Sequence, residues 1–187
     1  MRSGWPAAIL LLGLAACAAK PEARARLTLE DLEGNPRDVL DAGGAPCVVL
    51  VFLTSECPIA RAYSEELAAL RNDYAGRIAL HLVMTDRDLP RDAARRHARE
   101  FGLPDPILLD PDHRAVAALG ATITPEVFVL DRFGESVYSG RIDDRFAAVG
   151  RPRRAPTRAD LRGALDAVLA GTTPAVQRTE AIGCLIE

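Results

Sequence analysis

The segment Cys47–Leu53 (CVVLVFL) constrains this chain more than any other. A short, unbroken apolar run rich in valine reads as a strand covered on both faces, which calls for a sheet with helices on either side. Residues 58–74 carry Ile59, Tyr63, Leu67, Leu70 and Tyr74 at helical spacing, and residues 78–84 (IALHLVM) read as a second buried strand. Strand, helix and strand in this order predict a parallel, right-handed unit. Upstream, residues 27–32 are a short candidate strand before a turn at Gly34, Asn35 and Pro36. Downstream, the patterns predict a charged helix over 90–101 that stops at Gly102, a short extended piece over 107–109 and a short helix over 112–119. Strands over 127–130 and 136–139 flank a turn at Asp131 to Gly134. A last helix is expected over 157–169, with Thr157 as N-cap and Asp160 three residues on. The order predicts one α/β domain over 27–170, a central mixed β-sheet flanked by helices, and an irregular tail over 171–187.

The N-terminus stands apart. Arg2 precedes an apolar run through Ile9, Leu10, Leu11, Leu12 and Leu14, too short to span a bilayer comfortably. It reads as a signal peptide over 1–16. The run ends in Leu14-Ala15-Ala16-Cys17, which resembles the bacterial lipobox and makes Cys17 a lipidation site. The plain alternative is an ordinary signal peptide cut at a small-residue site. With the lipid, residues 17–26 become an anchored tether, and the domain sits in the bacterial cell envelope, facing the periplasm or the exterior. The other partners follow from charge. A net charge of −3, with 23 basic residues interspersed among 26 acidic ones, gives no general cationic field, so nucleic acid is not expected as a partner.

Chemistry gathers where the first buried strand ends, at Leu53-Thr54-Ser55-Glu56-Cys57-Pro58. Pro58 suits the first position of a helix, because its missing N–H has no partner there anyway. Cys57 therefore falls at a helix N-terminus, where free N–H groups favour a thiolate. Glu56 opposes this as a neighbouring like charge, and Arg61, one turn on, offsets it. The alternative is a buried structural cysteine. Thr124-Pro125 directly precedes the strand over 127–130, whose start is expected beside Cys57. The closing hairpin should also return Arg141 and Asp143 to that level, where an arginine can stabilise a thiolate or an anionic transition state. The tail carries Gly183-Cys184, and a mobile tail with an apolar flank is able to fold over and bring Cys184 to Cys57. In an exported protein such a disulfide would persist. Cys47 opens a buried strand and reads as core.

These segments resemble the redoxin branch (alkyl hydroperoxide reductase/thiol-specific antioxidant) of the thioredoxin-like superfamily. The likeness is carried by VVLVFLTSECPIA, FGLPDPILLDPD, TPEVFVLDRFGE and GRIDD, and it extends to the bacterial lipoprotein forms that end in a Gly-Cys tail. It implies a thioredoxin-like fold, a cis peptide bond before Pro125, and a thiol-based oxidoreductase of peroxiredoxin or thiol–disulfide type. Cys57, Thr54, Pro125, Arg141 and Cys184 are then the site residues. The implied partners are a peroxide or protein disulfide as substrate and an external dithiol/disulfide redox protein or small thiol as donor. No cofactor is called for. Two departures stand out. Ala60 occupies the second position of a Cys-x-x-Cys motif, and Leu50 stands where a peroxidatic motif, matched by Thr54 and Cys57, has proline. Two other functions stay open. A copper-delivery module of the Sco type would need Cys184 and His113 to replace a missing second motif cysteine, since residue 61 is arginine and His81 and His97 lie on a strand and a charged helix. A docking module would keep Cys57–Cys184 as a structural disulfide.

Overall fold

A computed structural model describes residues 26–187. The signal peptide expected over 1–16, the lipidation at Cys17 and the tether before residue 26 lie outside the described residues. In chain order, β1 (Thr28–Asp31), β2 (Pro36–Asp38) and β3 (Cys47–Leu53) lead into α1 (Pro58–Ala62), α2 (Ser64–Asp73) and β4 (Ala79–Met84). Then come α3 (Arg91–Phe101), β5 (Ile107–Leu109), α4 (Arg114–Leu119), β6 (Ile123–Thr124), β7 (Glu126–Asp131) and β8 (Ser136–Gly140). The chain closes with β9 (Phe146–Ala148), β10 (Arg151–Pro152), α5 (Asp160–Leu169) and β11 (Cys184–Leu185).

Seven strands form one mixed sheet in the order β2-β1-β5-β4-β3-β7-β8. β3 is parallel to β4, with Val51 opposite Leu82, and antiparallel to β7, with Val51 opposite Val127. All seven residues of β3 are buried, as its unbroken apolar run requires. Alternate side chains serve opposite layers. Val49, Val51 and Leu53 pack with Leu67, Leu70 and Leu165 of α2 and α5. Val48, Leu50 and Phe52 pack with Ala115 of α4, Phe128 and Leu130. Each such side chain contributes about 1.5–3 kcal/mol on leaving water. This core holds the C-terminal end of β3 rigid, and Cys57 is mounted there. Among the described residues, no helix is long and apolar enough to cross a membrane.

Four expectations need correction. The single helix over 58–74 is two helices. Tyr63 leaves helical geometry at φ −93° and ψ 2°, and its hydroxyl donates to Asp143 Oδ1 at 2.5 Å. The last helix starts at Asp160, and Thr157 does not cap it: the Thr157 N–H and Oγ1 donate to the carboxylate of Asp144, at 2.6 and 2.5 Å. The helix expected over 112–119 begins at Arg114, because the Asp110 carboxylate accepts the N–H groups of Arg114, Ala115 and Val116. The tail is neither irregular nor loose. Ser139 N–H donates to Gln177 O at 2.9 Å and Thr179 N–H to Ser139 O at 3.0 Å, so the tail runs along β8. It then forms β11, which pairs antiparallel with β6.

Candidate active site

Cys57 is the N-cap residue of α1 with extended backbone, and Pro58 takes the first helical position as its chemistry favours. The thiol is 1% exposed. It donates to Thr124 O at 3.0 Å and accepts the Ala60 N–H at 3.4 Å. The loop leading to it is fixed from just beyond β4: the Asp86 carboxylate accepts the Ser55 N–H at 3.0 Å and the Ser55 hydroxyl at 2.6 Å.

The register of β3 with β7 sets Phe52 opposite Glu126, which brings the preceding Thr124 and Pro125 beside Thr54 and Cys57. The Thr124–Pro125 peptide bond is cis. Hydroxyls of Thr54 and Thr124 share a hydrogen bond of 3.0 Å. Pairing of β11 with β6 sets Cys184 opposite Thr124, so the second thiol reaches Cys57 over that residue. Thr124 Oγ1 also lies 3.5 Å from Cys184 O.

The two thiols therefore have opposed acidities. Burial pushes the Cys57 thiol up, but hydrogen bonds from the Cys184 thiol, the Ala60 N–H and Thr124 outweigh it, and the net direction is down. Cys184 is pushed up to about 11 by burial, by its hydrogen bond to Cys57 and by the charge of a Cys57 thiolate, with Arg61 acting the other way. Cys57 is therefore the more acidic thiol of the pair and Cys184 the less acidic one. Cys47, buried in β3, is pushed up to about 11 by burial and stays apart as core. Cys57 and Cys184 line a cleft of about 630 Å³ together with Thr54, Glu56, Asp86 and Leu185.

Thr54, Cys57, Pro125 and Cys184 are thus brought together. Arg141 is held by α5: its Nε donates to Asp160 Oδ2 at 2.7 Å, that carboxylate is almost fully buried, and the side chain lines a small cavity with Pro125 and Ile182. Asp143 is likewise held, accepting from Tyr63 and from the Arg145 N–H at 2.8 Å. Arg61 donates to Glu56 O at 3.1 Å and stacks on Phe101. His113 is engaged by Thr85 O at 2.7 Å and by Arg87 at 2.9 Å. Among the described residues, no group of three or more His, Cys, Asp or Glu stands close enough to hold a metal ion. Sequence reasoning missed Asp86 and Ser55, although Asp86 lies two residues past the end of a buried strand, where functional groups collect. It also missed why glycine precedes Cys184. A Cβ on Gly183 would lie 2.6 Å from the carbonyl carbon of Thr124, inside contact distance.

The redoxin family model matches residues 18–149, well over half of the chain. The chain belongs to the redoxin family. Its fold is thioredoxin-like. This redoxin is similar to a hypothetical protein of Sinorhizobium meliloti 1021, at 30% identity and a TM-score of 0.76 over 87% of this chain and 90% of that one. It is also similar to an uncharacterized conserved protein of Geobacillus kaustophilus, at 27% identity and a TM-score of 0.74 over 87% and 88%. A secreted disulfide oxidoreductase of Mycobacterium tuberculosis shares the fold at 19% identity, with a TM-score of 0.54 over 78% of this redoxin and 96% of that chain. No curated protein matches the chain.

Proposed function

We propose that this redoxin is a thiol-dependent oxidoreductase whose redox couple is Cys57 and Cys184. The observation that carries this is the pairing of β11 with β6, which sets Cys184 opposite Thr124, the residue whose carbonyl accepts from Cys57. The opposed acidities assign the roles. The Cys57 thiolate attacks one sulfur of an external disulfide, breaks that bond and expels the other sulfur as a thiol. Cys184 then attacks Cys57, expels the second sulfur and closes the Cys57–Cys184 disulfide. Two electrons have passed to the substrate, and an external dithiol protein or small thiol restores the pair. A peroxide would instead leave a sulfenic acid on Cys57, with loss of an alcohol or water, and Cys184 would condense with it, releasing water.

The Arg141–Asp160 ion pair favours the disulfide as substrate, since it ties to α5 the Nε of the arginine a peroxide would need. The shared fold with the secreted disulfide oxidoreductase of Mycobacterium tuberculosis supports the same direction. The lipobox at Cys17 supports a membrane-anchored position in the cell envelope. Turnover with dithiothreitol as donor, offering a disulfide and hydrogen peroxide separately, tests the reading. Cys57→Ser is expected to abolish turnover, and Cys184→Ser to leave a mixed disulfide or a sulfenic acid on Cys57. Turnover that survives Cys57→Ser overturns it.

A further inference from the structure

The tail touches the body of the domain, backbone against backbone, at two glycines. On β8, Gly140 has φ +132°, a conformation L side chains rarely adopt, and a Cβ there would lie 2.8 Å from the carbonyl carbon of Thr179 and nearer still to its oxygen. On the tail, Gly183 packs on Thr124 in the same way. Real Cβ atoms essentially never come within 3.0 Å of such atoms, and here the obstacle is backbone rather than a flexible side-chain end. Thr179 locks the first contact. Its Oγ1 accepts the Arg141 N–H at 3.0 Å and bonds the Tyr138 hydroxyl at 2.8 Å, while its N–H donates to Ser139 O. Past the second contact, Ile186 N–H donates to Thr122 O at 3.0 Å and completes the β11–β6 pairing. Only Glu180, Ala181 and Ile182 lie between the anchors, so the chain from Thr179 to Gly183 has little slack.

We propose that Gly140 and Gly183 form a two-point backbone clamp that positions Cys184 over Cys57 and thereby sets how readily their disulfide closes. The inference rests on Cys57 and Cys184 being the redox couple. Gly140, Thr179 and Gly183 are positioning residues, since none need touch substrate. Closure of a disulfide demands sulfurs about 2.05 Å apart with Cβ atoms about 3.8 Å apart. A misplacement of about 1 Å in a reacting group can cost about a hundredfold in rate. The reaction is an exchange in which the two protein thiols and one glutathione disulfide give the protein disulfide and two glutathione thiols.

The test uses the protein equilibrated in glutathione redox buffers, quenched in acid and quantified by mass spectrometry. Gly140→Ala and Gly183→Ala are each expected to lower the equilibrium constant for the Cys57–Cys184 disulfide tenfold or more, a rise in potential of about 30 mV per tenfold. Gly163→Ala, on α5 with open space around it, should stay within twofold of the parent. Thr179→Val should fall as the glycine variants do, and Thr179→Ser should recover the parent value. The Thr179 pair decides the matter if either glycine variant fails to fold. Variants that all remain within twofold, while the parent closes its disulfide, overturn the clamp. A parent that forms no Cys57–Cys184 disulfide overturns the redox couple itself, and the clamp with it.

Discussion

His81 gives this protein an acid-sensitive point far from its thiols. It lies on β4 opposite Leu50, and neither ring nitrogen finds a protein partner. Burial pushes its pKa down from 6.5 to about 4, helped by repulsion from Arg71 and Arg37 and opposed by Asp38 and Asp41. Between those values the unfolded chain binds a proton that the folded chain refuses, so this contribution to stability is complete above pH 6.5 and drains away as pH falls towards 4. The loss between pH 7 and pH 5 works out at about 2 kcal/mol. His81→Leu removes the titrating group and keeps an apolar side chain of similar bulk. Urea unfolding at pH 7 and pH 5 measures both proteins, and shared carboxylate contributions cancel in the comparison. The variant should lose about 2 kcal/mol less than the parent over that interval, or about 4–8 °C less in Tm. Equal losses in the two proteins would refute the argument that His81 is held neutral by its surroundings.

Other outcomes follow from packing and from the site. Phe52→Ala empties a fully buried position whose ring meets Phe128 edge-on at 5.7 Å, and should cost about 3–5 kcal/mol in chemical denaturation. Asp86→Ala strips the Ser55 N–H and hydroxyl of their acceptor and should cost about 1–3 kcal/mol, with slower closure of the Cys57–Cys184 disulfide in a stopped-flow oxidation. Cys17→Ser, where lipid attachment is the anchor, should move the protein from the membrane to the soluble fraction of a cell lysate.

What could be read in advance was whatever a short stretch of chain decides for itself. The valine-rich run of β3 had one physical answer, burial on both faces, and the structure gives it. Cys57 followed by Pro58 at a strand end likewise specified a helix start. What escaped depends on residues remote in sequence. Nothing near Tyr63 announces that the helix breaks there, or that its hydroxyl donates to Asp143, 80 residues on. Thr157 and Asp160 look like a helix start until Asp144, 13 residues back, claims Thr157. Arg141 was placed near Cys57 by the path of the hairpin, but a buried carboxylate on α5 competes for it and holds it. The two-residue strands β6 and β11 have no pattern of their own. They exist because Gly183 lets two backbones meet.

The central claim is the pairing of Cys57 with Cys184. Mild oxidation of the protein, followed by disulfide mapping and titration of the reduction potential, tests it directly. A Cys57–Cys184 bond with a potential of about −270 to −120 mV, the range of thiol–disulfide exchange proteins, is the expected result. A Cys184 that stays free while Cys57 is oxidised, or a paired disulfide below about −300 mV as in structural bridges, would contradict it.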